Sequence, residues 1–123
     1  MNSLVNRIVT RTKGDAALRD ETKRLIELSA ETFKQLCDLD ETFSCWISPH
    51  GFQAVLRAKD CGSRVSDLIV VKEKLNMPGH VLLFTKRDAG VTINSEQVLS
   101  ESIFEVVTDY CAINHITLGA TNG

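Results

Sequence analysis

Cys61 is the side chain of this sequence best placed to act as a nucleophile. It lies in the loop 60–63, directly before a segment predicted to be helical, and the positive end of a helix dipole stabilises a thiolate. His50 could serve as its base only if a hairpin tip folded back toward it. Because no second residue is fixed at catalytic spacing, we predict a protein without catalytic residues and keep a thiol-dependent enzyme as the second alternative.

Metal and nucleotide chemistry lack their sequence signatures. The four cysteines include no Cys-x-x-Cys pair, and the three histidines lie far apart at predicted turns or element ends. The seven glycines form neither a G-x-G pair nor a Walker pattern. We therefore predict no metal and no cofactor. Three cysteines fall on apolar faces and are expected to be buried structural thiols: Cys37, Cys45 and Cys111.

A basic stretch over residues 57–87 is the main argument for nucleic-acid binding. It holds seven bases against three acids, which suits contacts with phosphates. A sequence pI of about 5.9 and the lack of a helix-turn-helix or ribonucleoprotein motif argue against this function, which is the first alternative. Its predicted contacts are Lys59, Arg64, Lys72, Lys74, Lys86 and Arg87.

Residues 43–59 carry the period-two pattern of two strands joined by a turn. Apolar and polar residues alternate through Ile47, residues 48–51 supply turn chemistry, and alternation resumes from Phe52 to Lys59. Directly opposed residues of an antiparallel pair lie on the same face of the sheet. A loop of two or four residues therefore places each residue that is expected in the core opposite another such residue. The predicted pairs are Ile47 with Phe52, Cys45 with Ala54, and Phe43 with Leu56.

Trp46, the only tryptophan, points away from the core face of this hairpin by the same parity. It shares its side of the hairpin with Gln53, Val55 and Arg57. Aromatic, aliphatic and cationic side chains of these types anchor protein interfaces. We therefore predict that these four residues bind a partner. In the alternative, a helix covers this face and Trp46 belongs to a second layer of core.

Residues 63–76 fit either a helix or a strand. Leu68–Val71 has the composition of a strand, but a hairpin with the next strand would set Lys72 and Glu73 against leucines. A helix instead places the apolar residues on one stripe, with Ser63 as its cap. We predict a helix here, followed by strands over residues 80–87 and 91–93.

Helical periodicity occupies both ends of the chain. A short first helix is expected to stop at Lys13-Gly14, and a longer one follows from Asp15 to Cys37. The last helix begins after Asn94 or Ser95, and residues 116–118 are expected to add a terminal strand. We predict an α+β fold in the order α-β-β-α-β-β-α, with an antiparallel or mixed sheet of four to five strands flanked by N- and C-terminal helices. In element order alone, this is similar to the roadblock/LC7 family of small dimeric scaffold domains.

Composition and charge bound the class of protein. At 123 residues, with 43% apolar and 24% charged residues, the chain suits one domain over 1–123 with a frayed tail at 119–123. Its longest apolar runs are too short for a bilayer and no secretory signal is evident, so a cytoplasmic protein that binds no membrane is expected. All 14 Lys and Arg lie within residues 1–87, whereas residues 88–123 hold five acids and no base, an asymmetry that can steer a partner or a second copy. We predict a small non-catalytic protein with a regulatory, adaptor or inhibitor role, a protein partner, and homodimer formation as an added expectation.

Overall fold

A long helix, five strands and a second helix make up residues 2–119, the part of the chain that the computed structural model describes. The strands form an antiparallel sheet in the order β1-β2-β3-β4-β5, each paired with its neighbour in the chain. The predicted α+β class with flanking helices is confirmed. The elements are α1 (Ser3–Leu39), β1 (Phe43–Ile47), β2 (Gln53–Lys59), β3 (Val65–Glu73), β4 (Val81–Phe84), β5 (Ala89–Ile93) and α2 (Glu96–Ile113).

The helix α1 runs without a break through Lys13-Gly14, where the sequence predicted an interruption. A Cβ added at Gly14 would meet nothing within 4 Å, so this glycine is an exposed helical position. A single glycine costs a helix only about 1 kcal/mol, which the surrounding turns offset. Asn2 caps the helix by accepting a hydrogen bond from the backbone amide of Val5 at 2.9 Å.

The β1–β2 hairpin has the predicted faces but a register shifted by two residues. Cys45 lies opposite Leu56 and Ile47 opposite Ala54. The shift follows from a longer connection, in which the Ser48 hydroxyl accepts hydrogen bonds from the amides of Phe52 and Gln53 at 2.9 and 3.1 Å. A shift of two preserves the face of every side chain. Phe52, which was predicted to face the core, is instead 53% exposed.

The prediction of a helix over 63–76 is wrong, because residues 65–73 form β3. Lys72 does lie opposite Leu82, the type of pairing on which the prediction against a strand rests. The pairing does not bury the charge, because Lys72 is exposed and its Nζ lies 4.9 Å from the ring centroid of Phe84. The observed order therefore differs from the one on which the similarity to roadblock/LC7 domains was based.

Both helices pack on the same face of the sheet. The buried cluster joins Leu25 and Phe33 of α1 and Leu99 of α2 to residues on one face of the strands, among them Leu56 and Ile69. We call this the inner face and the opposite one the outer face. Because each helix contributes its buried residues to the inner face, neither covers the outer face.

The two ends of the sheet differ in their turns. The β1–β2 and β3–β4 turns lie at one end, called the Gly79 end, and the β2–β3 and β4–β5 turns lie at the other, called the Cys61 end. Ser95 caps α2 as predicted, its hydroxyl accepting from the amide of Val98. Residues 116–118 follow α2 as irregular chain, so the predicted terminal strand is wrong. Of the tail predicted at 119–123, only Gly119 falls within the described residues.

Candidate functional site

An apolar row crosses four strands on the outer face of the sheet. Trp46 lies opposite Val55, Val55 opposite Val70, and Val70 opposite Phe84. Val55 is only 2% exposed although it is not part of the helix-facing core, because its two strand neighbours shield it. Trp46, at the end of the row on edge strand β1, is 44% exposed. The row thus presents one exposed indole beside the apolar side chains of the neighbouring strands.

Cationic side chains border this apolar row. Arg57 donates from Nε to a carboxylate oxygen of Asp67 at 3.0 Å, a pair in which both side chains are about half exposed. Such exposed pairs are worth at most about 1 kcal/mol of stability, but this one orients the guanidinium beside the row. Gln53 lies opposite Lys72 on the other side of the row. The border therefore combines two cations with one carboxylate and an amide.

The structure brings together the four residues predicted to bind a partner. Trp46 and Val55 are direct neighbours, and Gln53 and Arg57 flank Val55 on the same face of β2. The sequence does not predict the other half of the row, because β3, which carries Val70 and joins Phe84 of β4 to the row, is predicted as a helix. The signal that could have found them is the β-branched run Leu68–Val71, which is typical of a strand.

The residues predicted to contact nucleic acid do not gather into one stripe. Lys72 lies on the outer face, while Lys74 follows β3 at the Gly79 end and donates to the Thr92 hydroxyl at 3.0 Å. Arg87 forms a salt bridge with Asp109, in which Nη2 lies 3.2 Å from Oδ2. The remaining three lie in or beside the turns at the Cys61 end: Lys59, Arg64 and Lys86.

Cys61 is exposed in the β2–β3 turn, and no helix follows it. The expected stabilisation of a thiolate by a helix dipole is therefore wrong. Its Sγ lies 3.7 Å from Oδ1 of Asn114. His50 belongs to the β1–β2 turn at the opposite end of the sheet, so the fold separates the candidate nucleophile from its candidate base.

All four cysteines are free, and two of the predicted structural thiols have raised pKa values. Burial, together with a hydrogen bond to Cys45, raises the pKa of Cys37 to about 11. Burial also raises the pKa of Cys111. These two side chains are neutral thiols at pH 7, where they act as small apolar groups of the core.

Within residues 2–119, no three His, Cys, Asp or Glu side chains are grouped so that they could hold a metal ion. In the same range, neither helix combines the length and the apolar character needed to cross a membrane. Comparison with known proteins found no matching family model, no matching curated protein and no matching solved structure.

Proposed function

We propose that this chain is a non-catalytic protein-binding protein, of regulatory, adaptor or inhibitor type, whose outer sheet face takes a partner protein. The observation that supports this function most is the apolar row on a sheet face that neither helix covers. Exposed apolar surface of this kind, bordered by polar residues, is typical of interaction sites.

Trp46 is the anchor of the proposed interface. Val55 is already shielded by its neighbours, whereas the indole keeps close to half of its surface in water. Covering a large apolar side chain contributes on the order of 2 kcal/mol, and tryptophan is enriched among residues that dominate binding energy. The row lies on strands rather than on a loop, so little conformational entropy is lost when a partner covers it.

The border of the row indicates the chemistry of the partner. Arg57 and Lys72 are cations, and Asp67 is the one carboxylate that faces them on the outer face of the paired strands. Complementary potentials favour a partner surface with an apolar centre and an acidic border. Four free thiols suit a reducing compartment, which supports the cytoplasm as the place of this encounter.

Capture of partners by a tagged chain tests this function. We expect Trp46→Ala to lower the recovery of a specific protein partner at least tenfold, while its thermal midpoint stays close to that of the wild type. Phe52→Ala is the matched control, because Phe52 is also an exposed aromatic residue but has the parity of the inner face. Recovery should be measured by quantitative mass spectrometry, with nucleic acid assayed in the same eluates.

Two results would count against the proposed interface. If Trp46→Ala unfolds at a much lower temperature, the indole belongs to the folding core. If both variants retain the same partners as the wild type, binding occurs elsewhere on the molecule.

A single-stranded nucleic acid is the second candidate partner. Exposed aromatic residues and cations on an open sheet face can stack bases and contact phosphates, and Trp46, Arg57 and Lys72 are of these types. The placement of the Lys72 ammonium over the Phe84 ring leaves Trp46 as the open ring of the row, which favours a protein. Nucleic acid in the eluates, with an affinity that falls steeply from 50 to 200 mM salt and a slope that Lys72→Ala with Arg57→Ala flattens, would favour this second candidate.

A further inference from the structure

The first 19 residues of α1, Ser3 to Glu21, extend beyond the core of the described chain. None of them is buried, and the first buried residue of the helix is Thr22. We call this segment the arm; at 1.5 Å per residue it is about 28 Å long. Exposed aliphatic residues mark its length: Leu4, Val5, Ile8, Val9 and Leu18.

The arm presents an exposed apolar face, of which Leu18, at the base of the arm, lies beside Gly79 of the β3–β4 turn. Helical spacing places Leu4, Ile8 and Leu18 on the same side of α1 as Thr22 and Ile26, which are buried against the sheet. An isolated helix of this length is marginal in water, so an uncovered apolar face is a reason to expect a partner for it.

The N-terminal part of the arm, up to Gly14, carries only positive charges. Arg7, Arg11 and Lys13 precede its first acid, Asp15. Arg7 and Arg11 are four residues apart, and helical spacing places Arg7 at one edge of the apolar face and Arg11 within it, between Leu18 and Leu4. The Arg11 Nε lies 3.8 Å from Oδ2 of Asp15, whereas no carboxylate forms a salt bridge with Arg7 among the described residues.

The helix α2 carries the opposite pattern. Glu101, Glu105 and Asp109, each four residues from the next, form a row that we call the acidic ridge. Arg87 pairs with Asp109, but within residues 2–119 no cation lies within 4 Å of the other two carboxylates. Beside the ridge runs a groove of about 460 Å³ between α2 and the β4–β5 hairpin. Its apolar lining includes Leu83, Val91, Val106 and Ile113.

The arm points away from its own acidic ridge. A Cβ added at Gly79 would lie 3.0 Å from Leu18, so the arm leaves the domain at the Gly79 end of the sheet. The helix α2 begins at that same end, because Ile93 lies opposite Val81, and then runs toward the Cys61 end. The arm and α2 of one chain therefore extend in opposite directions from the Gly79 end.

We propose that the arm of one copy docks antiparallel along the acidic ridge and groove of a second copy, and that the second arm returns the contact. Two copies that meet at their Gly79 ends bring each arm alongside the α2 of the other. The 14 steps from Leu18 to Leu4 cover about 21 Å, as do the 14 steps from Glu96 to Tyr110. In this register Arg11 lies level with the interval between Glu101 and Glu105, and Arg7 lies level with the interval between Glu105 and Asp109, while the apolar face of the arm enters the groove.

Reciprocal exchange suits a two-fold dimer, because each copy contributes one arm and one groove. The surface area that a single docked arm buries is small beside the roughly 1,600 Å² that stable interfaces bury. The exchange of two arms doubles this buried area. A lipid surface fits the arm less well, since its apolar face holds aliphatic residues without the tryptophan or phenylalanine common in interfacial helices.

Sedimentation of charge-reversed chains tests the exchange. The wild type should sediment as a dimer at low salt. Arg7→Glu with Arg11→Glu, and separately Glu101→Arg with Glu105→Arg, should each raise the dimer Kd at least tenfold. Mixing these two monomeric chains should restore a dimer, because the reversed arm of one chain then meets the reversed ridge of the other and the two unaltered elements meet each other. This restoration requires that both chains are folded.

A matched control reverses two cations of α1 outside the arm: Lys23→Glu with Arg24→Glu should leave the dimer intact. A monomeric wild type at tens of micromolar would overturn the proposal. So would loss of the dimer in the arm variant alone, which would indicate that arms pair with arms, or a mixture that stays monomeric. Tight binding of the wild-type chain to vesicles of anionic phospholipid, lost in the arm variant, would also overturn it in favour of a membrane.

Discussion

Leu56→Ala is expected to destabilise the protein by about 2 to 5 kcal/mol. Leu56 is fully buried on the inner face of β2, between Cys45 on one neighbouring strand and Ile69 on the other. Truncation removes apolar surface and leaves a cavity beneath the helices that strands paired on both sides cannot collapse to fill. Urea unfolding followed by circular dichroism measures the change in the free energy of unfolding.

Ser44→Ala is the matched control in the same hairpin. Ser44 is exposed on the outer face of β1, opposite Arg57, and its truncation should change the free energy of unfolding by less than about 0.5 kcal/mol. Similar small losses for Leu56→Ala and Ser44→Ala would contradict the assignment of the inner and outer faces.

Thr22→Val is expected to cost about 1 to 3 kcal/mol. The Thr22 hydroxyl accepts a buried hydrogen bond of 2.6 Å from the backbone amide of Gly79, which joins α1 to the β3–β4 turn. Valine has nearly the same shape but cannot accept this bond, so the substitution leaves a buried amide without a partner. The measurement is again the free energy of unfolding in urea.

Thr22→Ser keeps the hydroxyl and is the control for this hydrogen bond. It should lose less stability than Thr22→Val although it removes a methyl group. If the serine variant is the less stable of the two, packing of the methyl group and not the hydrogen bond joins the turn to the helix.

The faces of the hairpin could be predicted from the sequence, whereas its register could not. Strand parity depends only on the alternation of Phe43, Cys45 and Ile47, and each of these lies on the predicted side. Register depends on the connection, where the Ser48 side chain holds the amides of Phe52 and Gln53. A side chain that captures backbone amides within a loop leaves no periodic signal.

The strand β3 is not predicted from the sequence, because a lysine opposite a leucine argues against a hairpin. In the sheet, Lys72 is exposed and its Nζ lies 4.9 Å from the centroid of the Phe84 ring. Parity along one hairpin was enough to group Trp46 with Val55. The other half of the apolar row could not be predicted from the sequence, because Val70 and Phe84 join it only through pairings between strands.

Cross-linking from within the outer face of the sheet tests most directly whether that face is a protein-binding surface, as we propose. A photoreactive amino acid should replace Gln53, which lies on the outer face beside Val55, or Lys34, an exposed position on α1. We predict that position 53 yields a discrete cross-linked partner, that Trp46→Ala abolishes this product, and that position 34 does not yield it. Equal cross-linking from both positions, or a product at position 53 that persists in Trp46→Ala, would contradict the claim.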